Sequence, residues 1–335
     1  MKVAINGLGR IGRAFLKVAL ETPGLEMVAV NDLGDPANLA YLLKYDSAYG
    51  RSGLAAEAKD GALIVDGKHI RFVQETDPAK LPWKELGVDV VVESTGFFES
   101  YEKAGAHLTA GAKRVIISAP AKGDETNEHA TVLVGINESK LATCTVSSNG
   151  SCTTNAASPV VQIIEDALDI EKALLDTVHA YTATQKIVDG PDASDWRRGR
   201  AGAHNIVPSS TGAATSVTKA VKGVPFFDGI SVRVPVIVGS YVDLTFVVKR
   251  DTSKEDVNDI LRRAAVEPRW RGIFAVSDEE LVSSDIIGRP EASIADLNMT
   301  RVAGGNLVKV LAWYDNECGY VHTLARHVLA IQKYL

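Results

Sequence analysis

One cysteine, Cys152, lies in SSNGSCTTNAAS (residues 147–158), and apolar residues at helical spacing follow it. A cysteine at the start of a helix lies near unpaired backbone N–H groups and the positive end of the helix dipole, and both stabilise a thiolate. A nucleophilic thiol also needs a base, and His179 lies at the end of a predicted strand in DTVHAYTATQ. These residues alone leave two interpretations open: a nucleophile with its base, or a small buried cysteine and a hydrogen-bonded core histidine.

A second chemical pattern is the turn NGLGRIG, which places Gly7, Gly9 and Gly12 in a G-x-G-x-x-G motif between a predicted strand and a helix. In such a motif the first glycine permits the tight turn, the second lets the backbone approach a pyrophosphate, and the third allows close helix–sheet packing. Asp32 follows twenty residues after Gly12, at the end of the next strand. Its carboxylate can accept hydrogen bonds from a ribose 2′-hydroxyl and would repel a 2′-phosphate, so the pattern predicts NAD rather than NADP.

The first part of the chain alternates between strand and helix patterns. Lys2–Asn6, Glu26–Val30, residues 88–94 and residues 113–119 are short apolar runs typical of buried parallel strands. Asp66–Gly67 separates two extended runs, which is typical of a hairpin. We therefore predict an α/β fold whose N-terminal part is a Rossmann-type parallel sheet.

The pattern changes at Cys152, where we place a domain boundary. A helix is predicted over residues 152–168, although Pro159 restricts its first regular turn, and a strand over residues 174–182. Residues 183–209 are predicted to be a polar, arginine-bearing loop. VDLTFVVKR then alternates, with Val242, Leu244, Phe246 and Val248 on one face. This pattern predicts a second, α+β domain with a largely antiparallel sheet, and two helices follow at residues 253–266 and 319–335.

Composition excludes several classes of function. The 335 residues carry a net charge of −6, which argues against nucleic acid or an anionic membrane surface as the main partner. No apolar run approaches the roughly 18 residues of a membrane span, and MKVAINGLGR has no signal-peptide pattern. The cysteines Cys144, Cys152 and Cys318 match no zinc spacing and form no even set. A cytoplasmic location is the expectation, and no metal is predicted.

Nine segments occur in the order found in phosphorylating glyceraldehyde-3-phosphate dehydrogenases, and the sequence resembles that family over essentially its whole length. The segments are INGLGRIGR, NDLGD, LLKYDSAYGR, ESTG, SSNGSCTTN, HAYTATQ, SSTGAA, RVP and YDNECGY. The resemblance implies an NAD-binding domain at residues 1–151, joined by the C-terminal helix 317–335, and a catalytic domain at residues 152–316. It also implies a homotetramer.

The resemblance implies a chemical role for each matching residue. Cys152 matches a nucleophile that attacks the aldehyde of glyceraldehyde 3-phosphate, giving a hemithioacetal, and His179 matches its base. Hydride transfer to NAD then leaves a thioester, which inorganic phosphate attacks. The substrate-phosphate positions are Thr182, Arg198 and Arg233, and the attacking-phosphate positions are Ser151, Thr153, Thr211 and Gly212. The cofactor positions are Gly7, Gly9, Arg10, Ile11, Gly12, Asp32, Thr95, Gly96, Ser118, Asn316 and Tyr320.

The sequence departs from the family pattern at three positions near these residues. Gly150 replaces the alanine of SNASCTTN, Ala156 replaces a common second cysteine, and Cys318 replaces the tryptophan of YDNEWGY. Because Ala156 has no thiol, a local disulfide cannot protect Cys152 from over-oxidation.

Other functions compete with the one that the resemblance implies. Erythrose-4-phosphate dehydrogenase shares the fold, the cysteine and the cofactor, but it would not depend on phosphate. Aspartate-semialdehyde and acyl-phosphate reductases share the chemical logic, with different surroundings of the cysteine. A non-catalytic dinucleotide-sensing or redox-sensing protein is the alternative outside the enzymes.

Overall fold

The computed structural model describes residues 1–335 and divides into two compact units. The first unit consists of Met1–Gly150 with Val321–Leu335, and the second of Ser151–Tyr320.

The first unit is built on a nine-stranded sheet with short helices between the strands. Its strands are β1 Lys2–Asn6, β2 Glu26–Asn31, β3 Tyr45–Asp46, β4 Gly50–Arg51, β5 Ala56–Lys59, β6 Ala62–Val65, β7 Lys68–Val73, β8 Val90–Glu93, β9 Arg114–Ile117, β10 His129–Thr131 and β11 Val146–Ser148. Its helices are α1 Arg10–Glu21, α2 Pro36–Lys44, α3 Trp83–Leu86, α4 Tyr101–Ala104 and α5 Ala106–Thr109. Strands β3 and β4 form a separate small ribbon.

The strand order of the large sheet is β10-β11-β9-β8-β1-β2-β7-β6-β5. All pairs are parallel except β5 with β6 and β6 with β7, which form antiparallel hairpins. Asp66 and Gly67 make the turn between β6 and β7 with φ of 47° and 75°, so the predicted hairpin is confirmed. Strand β1 lies in the middle of the sheet, with β2 on one side and β8 on the other. The chain therefore builds the sheet outwards from β1 in both directions, and sheets of this kind bind ligands at the carboxyl ends of the strands where the direction changes.

The second unit contains an eight-stranded sheet whose order is β13-β14-β12-β15-β19-β17-β16, with β18 paired to β19. The strands are β12 Ile170–Ala180, β13 Val207–Ser210, β14 Phe227–Val234, β15 Ser240–Val248, β16 Phe274–Ser277, β17 Ser293–Asp296, β18 Arg301–Ala303 and β19 Leu307–Tyr314. The helices are α6 Cys152–Leu168, α7 Ala213–Ala220 and α8 Lys254–Ala265, and the final helix of the chain is α9 Cys318–Ile331.

Pairing in this second sheet is largely antiparallel, and the predicted fold class is confirmed. Only β12 with β14 and β16 with β17 run parallel. The alternation predicted for β15 is also confirmed, because Val242, Leu244, Phe246 and Val248 are all buried. This face packs against α6, the helix that begins with Cys152.

Two details differ from the sequence expectation. The loop predicted over residues 183–209 ends earlier, because Val207–Ser210 form the edge strand β13 against β14. Pro208 is tolerated there because an edge strand has backbone N–H positions that need no partner in the sheet. Helix α6 is continuous through Pro159, so the proline does not delay the first turn.

Candidate active site

Cys152 is the first residue of α6, and its neighbours hold the helix start in a defined geometry. Ser151 is the N-cap residue, and its Oγ accepts a hydrogen bond from the Thr154 N–H at 3.0 Å. The Ser151 N–H in turn donates to Thr154 Oγ1 at 3.2 Å, which completes a capping box. Two of the unpaired N–H groups of the helix start are thereby satisfied, and the thiol stays at the positive end of the helix dipole.

His179 lies next to the sulfur, near the end of β12. Its Nε2 is 3.3 Å from Cys152 Sγ, which is hydrogen-bond distance for a sulfur contact. The imidazole is 3% exposed, whereas Cys152 is partly exposed. The structure therefore brings together the two residues that the sequence could not place in space.

Burial decides the charge of this pair. Burial, together with the positive charge of the nearby Arg233 guanidinium, lowers the pKa of His179 to about 3. Burial also raises the pKa of the Cys152 thiol, against the opposing effect of Arg233. At neutral pH the imidazole is uncharged, so one ring nitrogen carries a proton and the other has a lone pair.

Arg233 is the direct neighbour of His179 in the sheet, because β14 pairs with β12 in the register that sets these two residues side by side. Its Nη1 lies 2.6 Å from His179 Nδ1 and 3.2 Å from the Ala180 carbonyl oxygen. The same Nδ1 is 2.6 Å from that carbonyl oxygen. The guanidinium is half-buried and keeps its positive charge beside the thiol and the imidazole.

Tyr314, which the sequence analysis missed, connects the helix of the cysteine to the strand of the histidine. Its hydroxyl is 2.9 Å from Thr153 Oγ1 on α6 and 2.9 Å from Thr177 Oγ1 on β12. The ring meets the imidazole of His179 edge-on, with 5.9 Å between ring centroids. Tyr314 is fully buried at the end of β19, where the alternating pattern predicts only a core aromatic, so the sequence carries no signal of these contacts.

The remaining predicted anion-binding residues lie on the segments that surround β14. Arg198 donates from Nε to Ser209 Oγ at 2.9 Å, and Ser209 Oγ donates to Asp195 Oδ2 at 3.1 Å. Burial lowers the pKa of Arg233, and the positive charge of Arg198 lowers it further.

Three other anion-binding predictions fall at chain turns. Thr182 Oγ1 is 2.9 Å from Thr184 Oγ1, just after β12. Thr211 and Gly212 precede α7, where Thr211 Oγ1 accepts a hydrogen bond from the Ala213 N–H at 3.1 Å. Gly212 is the N-cap of α7 and has no side chain to occupy the unpaired N–H groups. Such a helix start offers backbone donors to an anion.

In the first unit, the three glycines of the motif differ in how much space a side chain would have. A Cβ on Gly7, whose φ is +96°, would lie 2.7 Å from the Thr95 nitrogen, and one on Gly12 would lie 1.9 Å from the Gly7 carbonyl oxygen. A Cβ on Gly9 would meet nothing within 4 Å. Gly7 and Gly12 are therefore required by packing, whereas Gly9 faces open space at the N-cap of α1, where no side chain caps the helix.

A cavity of about 520 Å³ opens beside this turn. It is lined by Asn6, Gly7, Gly9, Asn31, Asp32, Leu33, Glu75, Thr76, Ser94, Thr95, Phe97 and Phe98. Asp32 lies in its wall and is held by the Leu8 N–H at 2.6 Å and the Gly34 N–H at 2.8 Å. The residues fit a dinucleotide: open space at the start of a helix for a pyrophosphate, and a fixed carboxylate for a ribose.

A buried carboxylate, also missed by the sequence analysis, holds the wall of this cavity. Glu93 accepts hydrogen bonds from the N–H and hydroxyl of Thr95 and from Asn6 Nδ2. His107 Nε2 lies 3.0 Å from Glu93, and Trp83 donates its indole N–H to His107 Nδ1 at 3.0 Å. Since an indole nitrogen can only donate, His107 must carry its proton on Nε2 and donate it to Glu93.

Five of the predicted cofactor residues of the first unit are outside the lining of this cavity, and Gly12, described above, is one of them. Arg10 pairs through Nη1 with Asp46 at 2.7 Å, and Ile11 lies half-buried in the first turn of α1. Gly96 has a φ of +75° directly after Thr95. The Ser118 N–H donates to the Glu93 carbonyl oxygen at 2.9 Å, just after β9.

The other two predicted cofactor residues belong to the second unit. Asn316 is 6% exposed, and its Oδ1 accepts hydrogen bonds from the Gly239 N–H at 3.2 Å and from Ser240 Oγ at 3.0 Å. This pattern fixes the orientation of the amide, so that its NH₂ group points away from these donors. Tyr320 is buried near the start of α9.

The three departures noted in the sequence have clear environments. Gly150 has a φ of +63°, a conformation that glycine adopts without strain, and Ala156 is completely buried in α6. Burial and the carboxylates of Asp315, Glu291 and Glu317 raise the pKa of Cys318 to about 12. No disulfide joins the three cysteines.

No cluster of three or more His, Cys, Asp or Glu side chains has the arrangement of a metal site. None of the helices is both long and apolar enough to span a bilayer.

Comparison with known proteins gives matches along both units. Residues 1–101 match the family model of the glyceraldehyde 3-phosphate dehydrogenase NAD binding domain, and residues 151–316 match that of the C-terminal domain. A glyceraldehyde-3-phosphate dehydrogenase of Thermotoga maritima is 49% identical over 323 residues, which cover 95% of each chain. Enzymes of the same name from Clostridium pasteurianum and Borreliella burgdorferi are each 46% identical. They cover 97% and 96% of this chain, respectively, and 96% of their own lengths.

Proposed function

This chain belongs to the glyceraldehyde-3-phosphate dehydrogenase family, and we propose that it catalyses the NAD-dependent oxidative phosphorylation of D-glyceraldehyde 3-phosphate to 1,3-bisphosphoglycerate, a reaction of glycolysis and gluconeogenesis. The observation that carries the proposal is the 3.3 Å contact between Cys152 Sγ and His179 Nε2 at the start of a helix. A thiol and a base in contact are what nucleophilic catalysis through an acyl-enzyme needs.

In the first step, Cys152 Sγ forms a bond to the aldehyde carbon, and the thiol proton passes to the carbonyl oxygen by way of His179. The hemithioacetal that results has a hydroxyl group, whose proton His179 accepts as the carbon loses its hydride. NAD, when bound, supplies the acceptor for that hydride. Cys152 then holds a thioester, and a phosphate oxygen attacks its carbonyl carbon. The carbon–sulfur bond breaks, and the acyl phosphate and the Cys152 thiolate are released.

Two groups of residues are proposed to hold the two phosphates. Arg233, Thr182 and Arg198 bind the phosphate of the substrate, and the proximity of two cations supports this assignment. Ser151, Thr153, Thr211 and Gly212 bind the attacking phosphate. The helix starts at Cys152 and Ala213 support the second assignment, because each presents backbone N–H groups.

NAD is proposed to bind to the cavity of the first unit, with the pyrophosphate over Gly9, Arg10 and Ile11 and the adenosine ribose on Asp32. Because the side chain of Arg10 is paired with Asp46, its backbone N–H is the group proposed to face the pyrophosphate. Asn316 and Tyr320 are proposed to bind the nicotinamide. The fixed amide of Asn316 supports this assignment, since its NH₂ group is left to donate to a carboxamide oxygen.

We also propose that the protein is a homotetramer in the cytoplasm, with functional domains at residues 1–151 plus 317–335 and 152–316. Support for self-association comes from the face of the second sheet opposite α6. Leu174, Phe226 and Ile230 are 63%, 71% and 55% exposed there, and contiguous apolar surface of this kind marks protein interfaces. Light scattering after size-exclusion chromatography should give four times the chain mass of 35.8 kDa, whereas a monomer mass would contradict the proposal.

The proposed reaction is tested by NADH formation from NAD and D-glyceraldehyde 3-phosphate, with and without inorganic phosphate. We expect steady turnover only with phosphate, and we expect it to be lost in Cys152→Ser. Cys318→Ser is the matched control, since it changes a cysteine of the same unit that is not proposed to react. Turnover without phosphate would contradict an acyl-enzyme released by phosphorolysis, and turnover in Cys152→Ser would contradict the nucleophile.

A further inference from the structure

Two groups compete for one atom, Nδ1 of His179, and they also contact each other. Arg233 Nη1 is 2.6 Å from it, the Ala180 carbonyl oxygen is also 2.6 Å from it, and Arg233 Nη1 is 3.2 Å from the same carbonyl oxygen. A neutral ring nitrogen carries either a proton or a lone pair. If Nδ1 carries a lone pair, Nδ1 and the carbonyl oxygen are two acceptors 2.6 Å apart, and Arg233 offsets their repulsion by donating to both. If Nδ1 carries the proton, it donates to Ala180 and faces an N–H of Arg233, so the two cannot stay at this distance.

The state of Nδ1 determines what His179 can do to Cys152. With the Arg233 bridge in place, the proton of the neutral ring must be on Nε2, which then points an N–H at the sulfur and cannot accept the thiol proton. With the bridge released, the proton is on Nδ1 and is held by Ala180. Nε2 then has the lone pair, 3.3 Å from Sγ, and can act as the base.

We propose that Arg233 sets the tautomer of His179, and that a phosphate group bound by Arg233 switches His179 from a donor to a base. The inference rests on the proposed function, because it takes Arg233 to be a ligand of the substrate phosphate. Net protonation does not change: Nε2 loses a proton to water on the partly exposed side of Cys152, and solvent supplies one to Nδ1. Arg233 is a positioning residue in this step, since it acts on sulfur chemistry through the imidazole.

The surroundings of His179 favour a tautomer switch over a change of its charge. Cys152 faces the ring from α6, Arg233 from β14 and the edge-on ring of Tyr314 from β19, so no carboxylate is there to stabilise an imidazolium. Arg198 adds a second positive charge near Arg233. The low pKa of His179 agrees with this arrangement. A phosphate dianion, which pairs well with guanidinium groups, draws Arg233 away from the neutral ring without requiring the strands to move.

The switch makes the phosphate of the substrate contribute to the chemical step as well as to binding. An aldehyde without a phosphate group would not switch the tautomer. His179 would then keep its proton on Nε2, which faces the sulfur, and could not act as the base. Binding energy at the phosphate is thus used at the reacting centre, which raises kcat rather than only lowering KM.

The tautomer can be measured directly by nitrogen NMR of protein labelled with ¹⁵N-histidine, with His179→Asn to identify the signals. We expect the proton on Nε2 in anion-free protein and on Nδ1 in saturating inorganic phosphate. Arg233→Met should show Nδ1 protonated under both conditions, and the exposed, ion-paired Arg200→Met should behave as wild type. If Arg233→Met does not fold, Thr182→Val serves instead: it should keep the anion-free tautomer and need more phosphate to switch. Nδ1 protonation in anion-free wild type, or no response to phosphate, overturns the proposal.

A kinetic measurement tests the consequence. Single-turnover NADH formation from unphosphorylated glyceraldehyde should rise on the order of tenfold or more when phosphite is added, because a positioned general base contributes about 10²–10⁴-fold. Only the first turnover is followed, so any attack of phosphite on the thioester does not affect the rate. An unchanged rate overturns the coupling. Turnover of glyceraldehyde 3-phosphate without a tautomer change removes this inference alone, whereas absence of that turnover removes the proposed function.

Discussion

Replacing Tyr314 by phenylalanine should loosen the link between Cys152 and His179 while leaving the aromatic ring in place. The substitution removes two hydrogen bonds of 2.9 Å, to Thr153 and Thr177. Thr177 keeps a partner, because its hydroxyl also donates to the Tyr241 carbonyl oxygen at 3.0 Å. Thr153, which is 4% exposed, loses its hydroxyl partner. An orphaned buried hydroxyl costs about 1–3 kcal/mol and a lost hydrogen bond about 1 kcal/mol, so we expect about 2–4 kcal/mol of destabilisation.

Activity should fall as well, because Thr153 is adjacent to Cys152 and Thr177 lies two residues before His179. Displacement of reacting groups by about 1 Å can cost about 10²-fold, and we expect roughly a tenfold loss of single-turnover rate for this smaller perturbation. The affinity for NAD should not change, because the cavity proposed to hold it contains none of these residues.

A double-mutant cycle separates the hydrogen bond from general effects. Thr153→Val removes the orphaned hydroxyl at nearly constant shape, so Tyr314→Phe combined with Thr153→Val should cost less than the sum of the two single changes, by roughly 1–2 kcal/mol. Urea unfolding of the four proteins measures the difference. Tyr41→Phe, at an exposed position, is the control and should stay within about 0.5 kcal/mol of wild type. Additivity within about 0.5 kcal/mol would refute the reasoning from these contacts.

Three further predictions follow from the first unit. Gly9→Ala should leave the melting temperature unchanged but weaken NAD binding measured by titration, because its Cβ meets only open space, whereas Gly12→Ala should lower the melting temperature because its Cβ overlaps the preceding turn. Asp32→Ala should lower the NAD to NADP ratio of kcat/KM roughly tenfold or more, in line with the loss of a charge-assisted hydrogen bond, and an unchanged ratio would contradict the role of the carboxylate. Burial lowers the pKa of His327 from 6.5 to about 3. Between pH 6.5 and pH 3, His327 is therefore protonated in the unfolded chain and neutral in the folded protein. Its contribution to stability should therefore be constant above pH 6.5 and fall by about 1.4 kcal/mol per pH unit below it, and urea midpoints between pH 6.5 and 5 should show a shallower slope in His327→Asn.

Local patterns allowed much of the fold to be predicted from the sequence. The glycine motif, the β6–β7 hairpin and the alternation of β15 depend on neighbouring residues, and the structure has each of them. The edge strand β13 was missed because its pairing with β14 depends on residues distant in sequence and not on its own composition.

The candidate site was less predictable, because its contacts depend on the register between strands. Arg233 was singled out by resemblance alone, and its contact with His179 arises because residues 54 apart pair in adjacent strands. Tyr314 and Glu93 look like parts of a strand in the sequence, and only the folded structure shows which side chains their polar atoms reach. The resemblance to a known family therefore identified the site residues, whereas the contacts between their atoms could be read only from the structure.

The bridge made by the Tyr314 hydroxyl has a consequence for the protein as it is synthesised. Thr153 and Tyr314 are 161 residues apart, so the two walls of the site cannot be joined until most of the chain has left the ribosome. Contacts of such long range form late, since the loop between them must close first. Until then the Tyr314 hydroxyl cannot hold the helix of Cys152 against the strand of His179, and we expect the thiol to react as an ordinary one. We therefore expect Cys152 to become reactive only late in synthesis, when Tyr314 has joined the fold.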